Sequence, residues 1–271
     1  MKKNRSTQKM VATKNKSLAN KLLGDKLYRF LVDKKNTAVH NYQESVWKKE
    51  RLAFFSTFLT RDSLYFDVGA NVGNRIEPVL QIGAKVIAVE PQKKCIKILE
   101  EKFGNAITIV PKGLGAQEGE LEFFISDAST LSTFSKEQVD TLKDTKFANY
   151  SWNEKEIIPI TTLDILIAKY GKPDFIKIDV EGFEPEVLKG LSTPIKLISF
   201  EYTVPEFVNK VIECIEQLER VNPNIECNYC VGEKMEYVLP TWKTATEMKA
   251  FVETEAFTST TFGDVYIKST I

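Results

Sequence analysis

Histidine is almost absent from this chain. His40 is the single example in 271 residues, and it stands in the amino-terminal region. A catalytic base or metal centre built on imidazole is therefore not expected. Cysteine is scarce as well. Cys95 and Cys214 stand alone, and Cys227 and Cys230 have C-x-x-C spacing inside Ile225 to Val231, a run that reads as a strand. Alternation along a strand sends those two side chains to opposite faces, which is poor geometry for a shared ion. No zinc or disulfide site is expected of these cysteines, and a reduced, cytoplasmic protein is the simpler reading. Long apolar runs are missing too: the longest, around Leu52 to Leu59, falls far short of the about 20 residues of a membrane span. No apolar core follows the basic start, so a secretory leader is not expected.

Net charge is also lacking, with 37 basic against 37 acidic residues, but the two signs are separated. Residues 1 to 35 carry eleven Lys and Arg against Asp25 and Asp33, so the remainder is acidic by nine. The start, to Lys16, is polar and without periodicity and reads as disordered. Leu18, Leu22, Leu23, Leu27, Phe30 and Leu31 then recur at helical spacing, interleaved with Lys21, Lys26 and Arg29. Such a helix packs on a neighbouring domain, or meets a membrane surface or another anionic partner. A second helix is expected near Tyr42 to Leu59. The organisation that follows is a basic extension over 1–50 and one α/β domain over 51–271, long enough to bury a full core.

What the sequence does have is concentrated in Ser63 to Asn74, SLYFDVGANVGN. Leu64, Phe66 and Val68 alternate as a strand, Asp67 lies among them, and Gly69-Ala70-Asn71-Val72-Gly73 forms a turn into a helix. Glycine serves such a turn because the backbone must bend tightly and admit a ligand. A second apolar strand, Lys85 to Val89, ends in Glu90, an acid placed to accept the two hydroxyl protons of a ribose. A dinucleotide site would favour G-x-G-x-x-G over a pyrophosphate. Here Asn71 replaces the middle glycine, no basic residue stands by the turn before Arg75, and Asp67 suits an ammonium. S-adenosylmethionine offers an ammonium, a ribose and no phosphate, and is the cofactor expected.

The second half supplies the remaining strands. Phe175, Ile176, Ile178 and Val180 make a nearly continuous apolar strand, as in a sheet covered on both faces. Asp179 and Glu181 fall at its carboxyl end, where open α/β sheets bind ligands. A short helix follows from near Pro185 to Gly190. The strand Ile195 to Tyr202 again ends on an acid, Glu201. Between the third and fourth main strands, Glu120 to Ser126 alternates as an edge or hairpin strand. Residues 127 to 152 then read as an insertion overhanging the carboxyl edge, either a lid or a solvated connection. A helix over Glu206 to Arg220, paired strands Ile225 to Val231 and Met235 to Leu239, a helix near Thr244 to Glu255 and a last strand Asp264 to Lys268 complete the sheet.

DVGANVGN, AVEP (Ala88 to Pro91), TTLD (Thr161 to Asp164) and IKIDVEGFEPEVLKG (Ile176 to Gly190) together resemble the FkbM-type methyltransferases, from about Arg51 to Phe200 and more loosely to FGDVYIK (Phe262 to Lys268). The resemblance implies a class I Rossmann-like α/β fold, with a mostly parallel seven-stranded sheet, helices on both faces and an antiparallel final strand. It also implies S-adenosylmethionine as methyl donor and O-methylation of a sugar, glycan or natural product. On that basis Asp67, Gly69, Asn71 and Gly73 hold the methionine portion, Glu90 the ribose, and Lys112, Gly113 and Leu114 the adenine. No acid stands at the adenine end, where many class I enzymes carry one, so backbone contacts must serve there.

Methyl transfer to an alcohol needs the acceptor oxygen in line with the carbon–sulfur bond and benefits from a general base. With histidine absent from the domain, the candidates are Asp179 first, then Glu181 and Glu201. Each has another possible role: Asp179 as an orienting group, Glu181 as a backbone cap of the next turn, Glu201 as an ion-pair partner. The three acids together could instead gather a divalent cation. Phe54, Phe55, Phe58 and Trp152 read as core rather than as an acceptor pocket. A nucleic-acid-modifying or nucleic-acid-binding protein that uses the basic segment is the alternative, opposed by the acidic domain. A dinucleotide oxidoreductase or a non-catalytic binding module on the same fold is a further one.

Overall fold

The computed structural model describes residues 46–142 and 150–269. The expected helix over Leu18 to Leu31 and its membrane or anionic contact lie outside the described residues. Residues 50–271 form one compact unit. Helix α1 occupies residues 46–55, where the longer helix to Leu59 was expected, and gives way to a turn at 56–58.

Strand and helix then alternate through β1 (Leu64–Val68), α2 (Ile76–Ile82), β2 (Lys85–Val89), α3 (Lys93–Phe103) and β3 (Thr108–Val110). An excursion follows: β4 (Gly113–Leu114), β5 (Gly119–Ile125), α4 (Lys136–Leu142) and β6 (Glu154–Thr161). The alternation resumes with α5 (Leu163–Tyr170), β7 (Phe175–Ile178), α6 (Glu184–Lys189), β8 (Leu197–Thr203), α7 (Val208–Val221) and β9 (Ile225–Val231). The last elements are β10 (Lys243–Thr244), α8 (Ala245–Val252), α9 (Glu255–Thr258) and β11 (Phe262–Ser269).

The main sheet has the order β3-β2-β1-β7-β8-β11-β9-β10. β1, β2, β3, β7 and β8 pair in parallel, whereas β11 runs antiparallel between β8 and β9. This is the class I Rossmann-like α/β arrangement, with one strand more than the seven expected. The additional strand, β10, is a two-residue edge on β9.

Each inner strand is buried on both faces because helices cover both sides. Phe66, Val68, Ile176, Ile178, Ile198 and Phe200 belong to one core cluster. Tyr65, Val86, Ala88, Phe175 and Tyr266 belong to the other, with Phe54 of α1 set edge-on to Tyr266 and Phe55 tilted against Phe175. Cys227 falls in the first cluster and Cys230 in the second, and all four cysteines are buried and free.

The hairpin expected of Ile225 to Val231 with Met235 to Leu239 does not form. Residues 235–239 are irregular, and side-chain bonding takes the place of a ladder. The Asn228 amide donates to Leu239 O at 2.9 Å and accepts from Leu239 N at 3.0 Å. Asn228 thus satisfies backbone groups that strand pairing would otherwise satisfy. The ladder partners of β9 are β11 on one edge and the two-residue β10 on the other, both supplied by sequence downstream of residue 239.

β5 pairs antiparallel with β6, and β4 pairs in parallel with β6, giving a separate three-stranded sheet. The strand expected at Glu120 to Ser126 as an edge or hairpin strand is β5, an edge of this excursion sheet paired antiparallel with the central β6. Its role is to carry residues 126–135 back across the carboxyl edge of the main sheet.

Candidate active site

Three hydrogen bonds knit the carboxyl ends of the central strands. Gly69 N and Ala70 N donate to Val89 O at 2.9 and 3.1 Å, and Asp179 N donates to Val68 O at 2.9 Å. β1, β2 and β7 therefore end at one level, and their terminal residues surround a cleft of about 220 Å³. Asp67, Gly69, Asn71, Glu90, Lys112, Gly113 and Leu114 line it, together with Asp179, Glu181 and Glu201. Eleven site residues were expected from the sequence, and ten meet here.

Gly73 is the exception. A Cβ there would come within 2.4 Å of the Phe103 ring, so this glycine seats α3 against the turn. Gly69 also answers to protein packing: it has φ +82°, and a Cβ would lie 1.8 Å from the carbonyl oxygen of Asp179. The sequence argument assigned these glycines to the close approach of a ligand. In the structure, the close approach is that of neighbouring chain. Asn71 takes φ 47°, a left-handed conformation that asparagine tolerates better than most residues. Its Oδ1 accepts from Ser129 Oγ at 3.4 Å.

Glu90 is 2 % exposed. Its two carboxylate oxygens each accept one backbone N–H, from Asn71 and from Gln92, both at 2.8 Å. Those bonds fix the carboxylate plane and leave a lone pair on each oxygen. Burial, only partly offset by the two bonds, pushes its pKa up to about 7. Asp67 is also raised by burial, against a hydrogen bond from Tyr65 Oη at 2.8 Å.

The acids at the ends of β7 and β8 sit in a buried charge network. Lys177, 1 % exposed in the middle of the sheet, places Nζ 2.6 Å from Asp264 and 3.3 Å from Asp179. Arg75 reaches Asp179 at 3.5 Å, Glu233 at 3.5 Å and Asp264 at 3.9 Å. Burial works against ionisation of Asp179, but the charges of Lys177 and Arg75 outweigh it and hold its pKa below the ordinary value. Glu181 and Glu201 are driven the other way, well above the ordinary value, first by burial and then by the charge of Asp179. One carboxylate oxygen from each of these three acids lies within 4.8 Å of the others, close enough to share a cation.

Backbone strain fixes the acid-bearing turn. Glu181 has φ 54° and Gly182 has φ 81°. Glu184 Oε1 accepts from Val180 N at 3.0 Å and Gly182 N at 3.1 Å, and Lys210 Nζ donates to Gly182 O at 2.9 Å. The capping role considered for Glu181 thus belongs to Glu184, which frees the Glu181 side chain to line the cleft.

Residues 67–229 match the Methyltransferase FkbM domain. The chain belongs to this family. Hexuronic acid methyltransferase AglP of Haloferax volcanii is 28% identical over 142 residues, or 51% of this chain and 54% of AglP. The match thus spans about half the length of that relative. Among solved structures, a TehB-like SAM-dependent methyltransferase from Corynebacterium glutamicum aligns over 87% of this chain and 100% of its own, at 11% identity and a TM-score of 0.42. Magnesium protoporphyrin IX methyltransferase (ChlM) from Synechocystis, with bound SAM, aligns over 86% and 82%, at 9% identity and a TM-score of 0.42.

The methyl donor implied by an FkbM methyltransferase domain suits the residues of this cleft. Its sulfonium and ammonium are cationic, and the charged residues of the lining are mainly acids, with Arg75 and Lys112 the basic ones. The open lone pairs of Glu90 suit two vicinal hydroxyls. Arg75, the basic residue nearest the glycine turn, is committed to three carboxylates rather than held ready for a phosphate.

Several positions around this site had no local signal. Glu233 and Asp264 come from a loop and from β11, and only the sheet order brings them to Arg75 and Lys177. Ser129 and Phe134 reach the cleft from the insertion. A buried lysine inside an apolar strand, Lys177, was the one sequence hint of the charge network. Trp152 is buried, and its Nε1 donates to Leu131 O at 2.7 Å, so it braces the insertion.

Proposed function

We propose that this FkbM-domain protein is an S-adenosylmethionine-dependent O-methyltransferase acting on a hydroxyl of a sugar, glycan or small natural product. The supporting observation is the placement of Glu90 and of Asp179, Glu181 and Glu201 around one cleft. Bound S-adenosylmethionine supplies an electrophilic methyl group on a sulfonium. Glu90 orients the ribose, while Asp67 and the turn at Gly69 and Asn71 face the ammonium. Lys112, Gly113 and Leu114 border the base.

The acceptor hydroxyl must lose a proton as it is methylated. Asp179, held ionised by Lys177 and Arg75, is a weak base and serves as the fixed anion of the site. One of Glu181 and Glu201, in its ionised form, accepts it, and the raised proton affinity of the pair makes that carboxylate a stronger base than Asp179. General-base assistance of this kind contributes about 10²–10⁴-fold. Alignment of the acceptor contributes more, up to roughly 7–11 kcal/mol for ideal geometry. The hexuronic acid named for AglP makes a sugar hydroxyl a natural first acceptor to test.

Calorimetric titration with S-adenosylmethionine, S-adenosylhomocysteine and NADH, on wild type and Glu90→Ala, tests the cofactor half. Saturable binding of both sulfur nucleosides is expected, with none for NADH and strong weakening in the variant. Methyl transfer from labelled donor to hexuronic acids and neutral hexoses then tests the acceptor class. Binding of NADH in preference to the sulfur nucleosides would overturn the proposal.

A further inference from the structure

Residues 126–135 form a strap across the cleft, tied to both of its halves. On one side Gln92 Nε2 donates to Ser129 O at 3.1 Å, beside the Glu90 carboxylate. On the other, Thr133 Oγ1 donates to Glu181 O at 2.7 Å. Behind it, Phe124 and Thr133 exchange backbone hydrogen bonds at 2.9 and 3.1 Å. At its end stands Phe134, half-buried, lining the cleft, with ring centroids 4.6 Å from Phe123 and 5.5 Å from Phe183.

The ring of Phe134 lies against Gly113. A Cβ on Gly113 would come within 2.5 Å of Phe134 Cζ and 2.7 Å of Ile160 Cδ1. Gly113 carries no positive φ, so backbone conformation does not demand glycine there. The space demanded is that of the ring. Gly113 also belongs to the strand end where the base of the cofactor is expected, and that end carries no acid to bind a purine amine.

We propose that the strap supplies the purine-binding wall that this strand end lacks, with Phe134 as its ring contact and Gly113 as the gap that admits that ring. The inference rests on the cofactor assignment above. An aromatic face binds a base by stacking, which requires no acid and no hydrogen bond to the amine. A strap that touches the base and is tied to Glu181 also links cofactor occupancy to the acceptor side.

The test is calorimetry with S-adenosylhomocysteine on wild type, Phe134→Leu, Phe134→Tyr and Gly113→Ala, with saturation-transfer NMR on the adenine H2 and H8 protons. Phe134→Leu is expected to weaken binding about tenfold and Phe134→Tyr to stay within about threefold of wild type. Gly113→Ala, which displaces the ring without touching Phe134, is expected to weaken binding as Phe134→Leu does. It meets only the far ends of two side chains, so it keeps the test open if Phe134→Leu fails to fold. Saturation of the adenine protons from the protein aromatic region is expected in wild type and Phe134→Tyr, and not in Phe134→Leu. Wild-type affinity in both Phe134→Leu and Gly113→Ala would overturn this inference alone. Absence of binding by wild type would overturn it together with the cofactor assignment.

Discussion

Asp179 and Glu201 occupy equivalent places at the ends of adjacent strands, yet their surroundings push their protons in opposite directions. Lys177, its ammonium buried between Asp179 and Asp264, and Arg75 hold Asp179 down, and the charge of Asp179 then adds to burial in raising Glu201. Removing one member of a buried pair strands the other charge in a poor solvent. Lys177→Met is therefore expected to cost about 3–5 kcal/mol in urea unfolding, and Lys177→Met with Asp264→Asn to recover part of that loss. Glu90 carries a pH signature of its own. Its folded pKa of about 7 lies above the ordinary carboxylate value, so the folded state holds the proton more tightly than the unfolded one. Its contribution to the stability of the ligand-free protein is fully present below the unfolded pKa and is lost as pH rises through about 7. The unfolding free energy should fall more steeply with pH than that of Glu90→Ala over this window, by up to roughly 3 kcal/mol in total. In its proposed role Glu90 accepts from both ribose hydroxyls, which calls for the ionised form. Calorimetry of S-adenosylhomocysteine at pH 6 in two buffers should therefore show proton release that is absent from the variant.

At the scale of elements, the turn after β1 is held by contact with β7 as much as by its own geometry. Gly69→Ala combines a left-handed φ with a Cβ pressed onto the Asp179 carbonyl and should destabilise by about 3 kcal/mol or more. Gly104→Ala is the control: its φ is +49°, but nothing lies within 4 Å of the new Cβ. Its cost should be limited to backbone strain, about 1–3 kcal/mol, in the same thermal or chemical unfolding measurement. The strands that end on Asp67, Glu90, Asp179 and Glu201 were legible in the sequence because buried parallel strands are apolar runs and their functional acids interrupt those runs. Met235 to Leu239 misled for a local reason. It has the composition of a strand, but beyond one backbone bond, Val238 N to Tyr229 O, its bonding to β9 comes from the Asn228 side chain, and the ladder on that edge is taken by β10.

At the scale of the whole molecule, the separation of charge leaves residues 36–271 acidic and gathers several of those acids around one cleft. A sulfonium should be favoured there over the neutral sulfur of S-adenosylhomocysteine. That preference should shrink as salt rises from about 0.01 to 1 M, since screening reduces the field of the partly exposed acids. Equal salt dependence for the two ligands would contradict the assignment of Asp179, Glu181 and Glu201 to the methyl end.

The sequence by itself determined the class of fold, the glycine turn and the acids at the strand ends, because these are written in local periodicity and in residues that stop it. Only the tertiary structure decided how those acids differ. Lys177 and Asp264 are 87 positions apart, and Arg75 meets Glu233 from the far end of the chain. No local pattern records such meetings, since they depend on strand order and on the reversed direction of β11. The same holds for the strap, whose polar sequence has no periodicity and takes its place through bonds to Gln92 and Glu181. Charge at a distance and packing across the sheet assign the roles, and both exist only once the chain has folded.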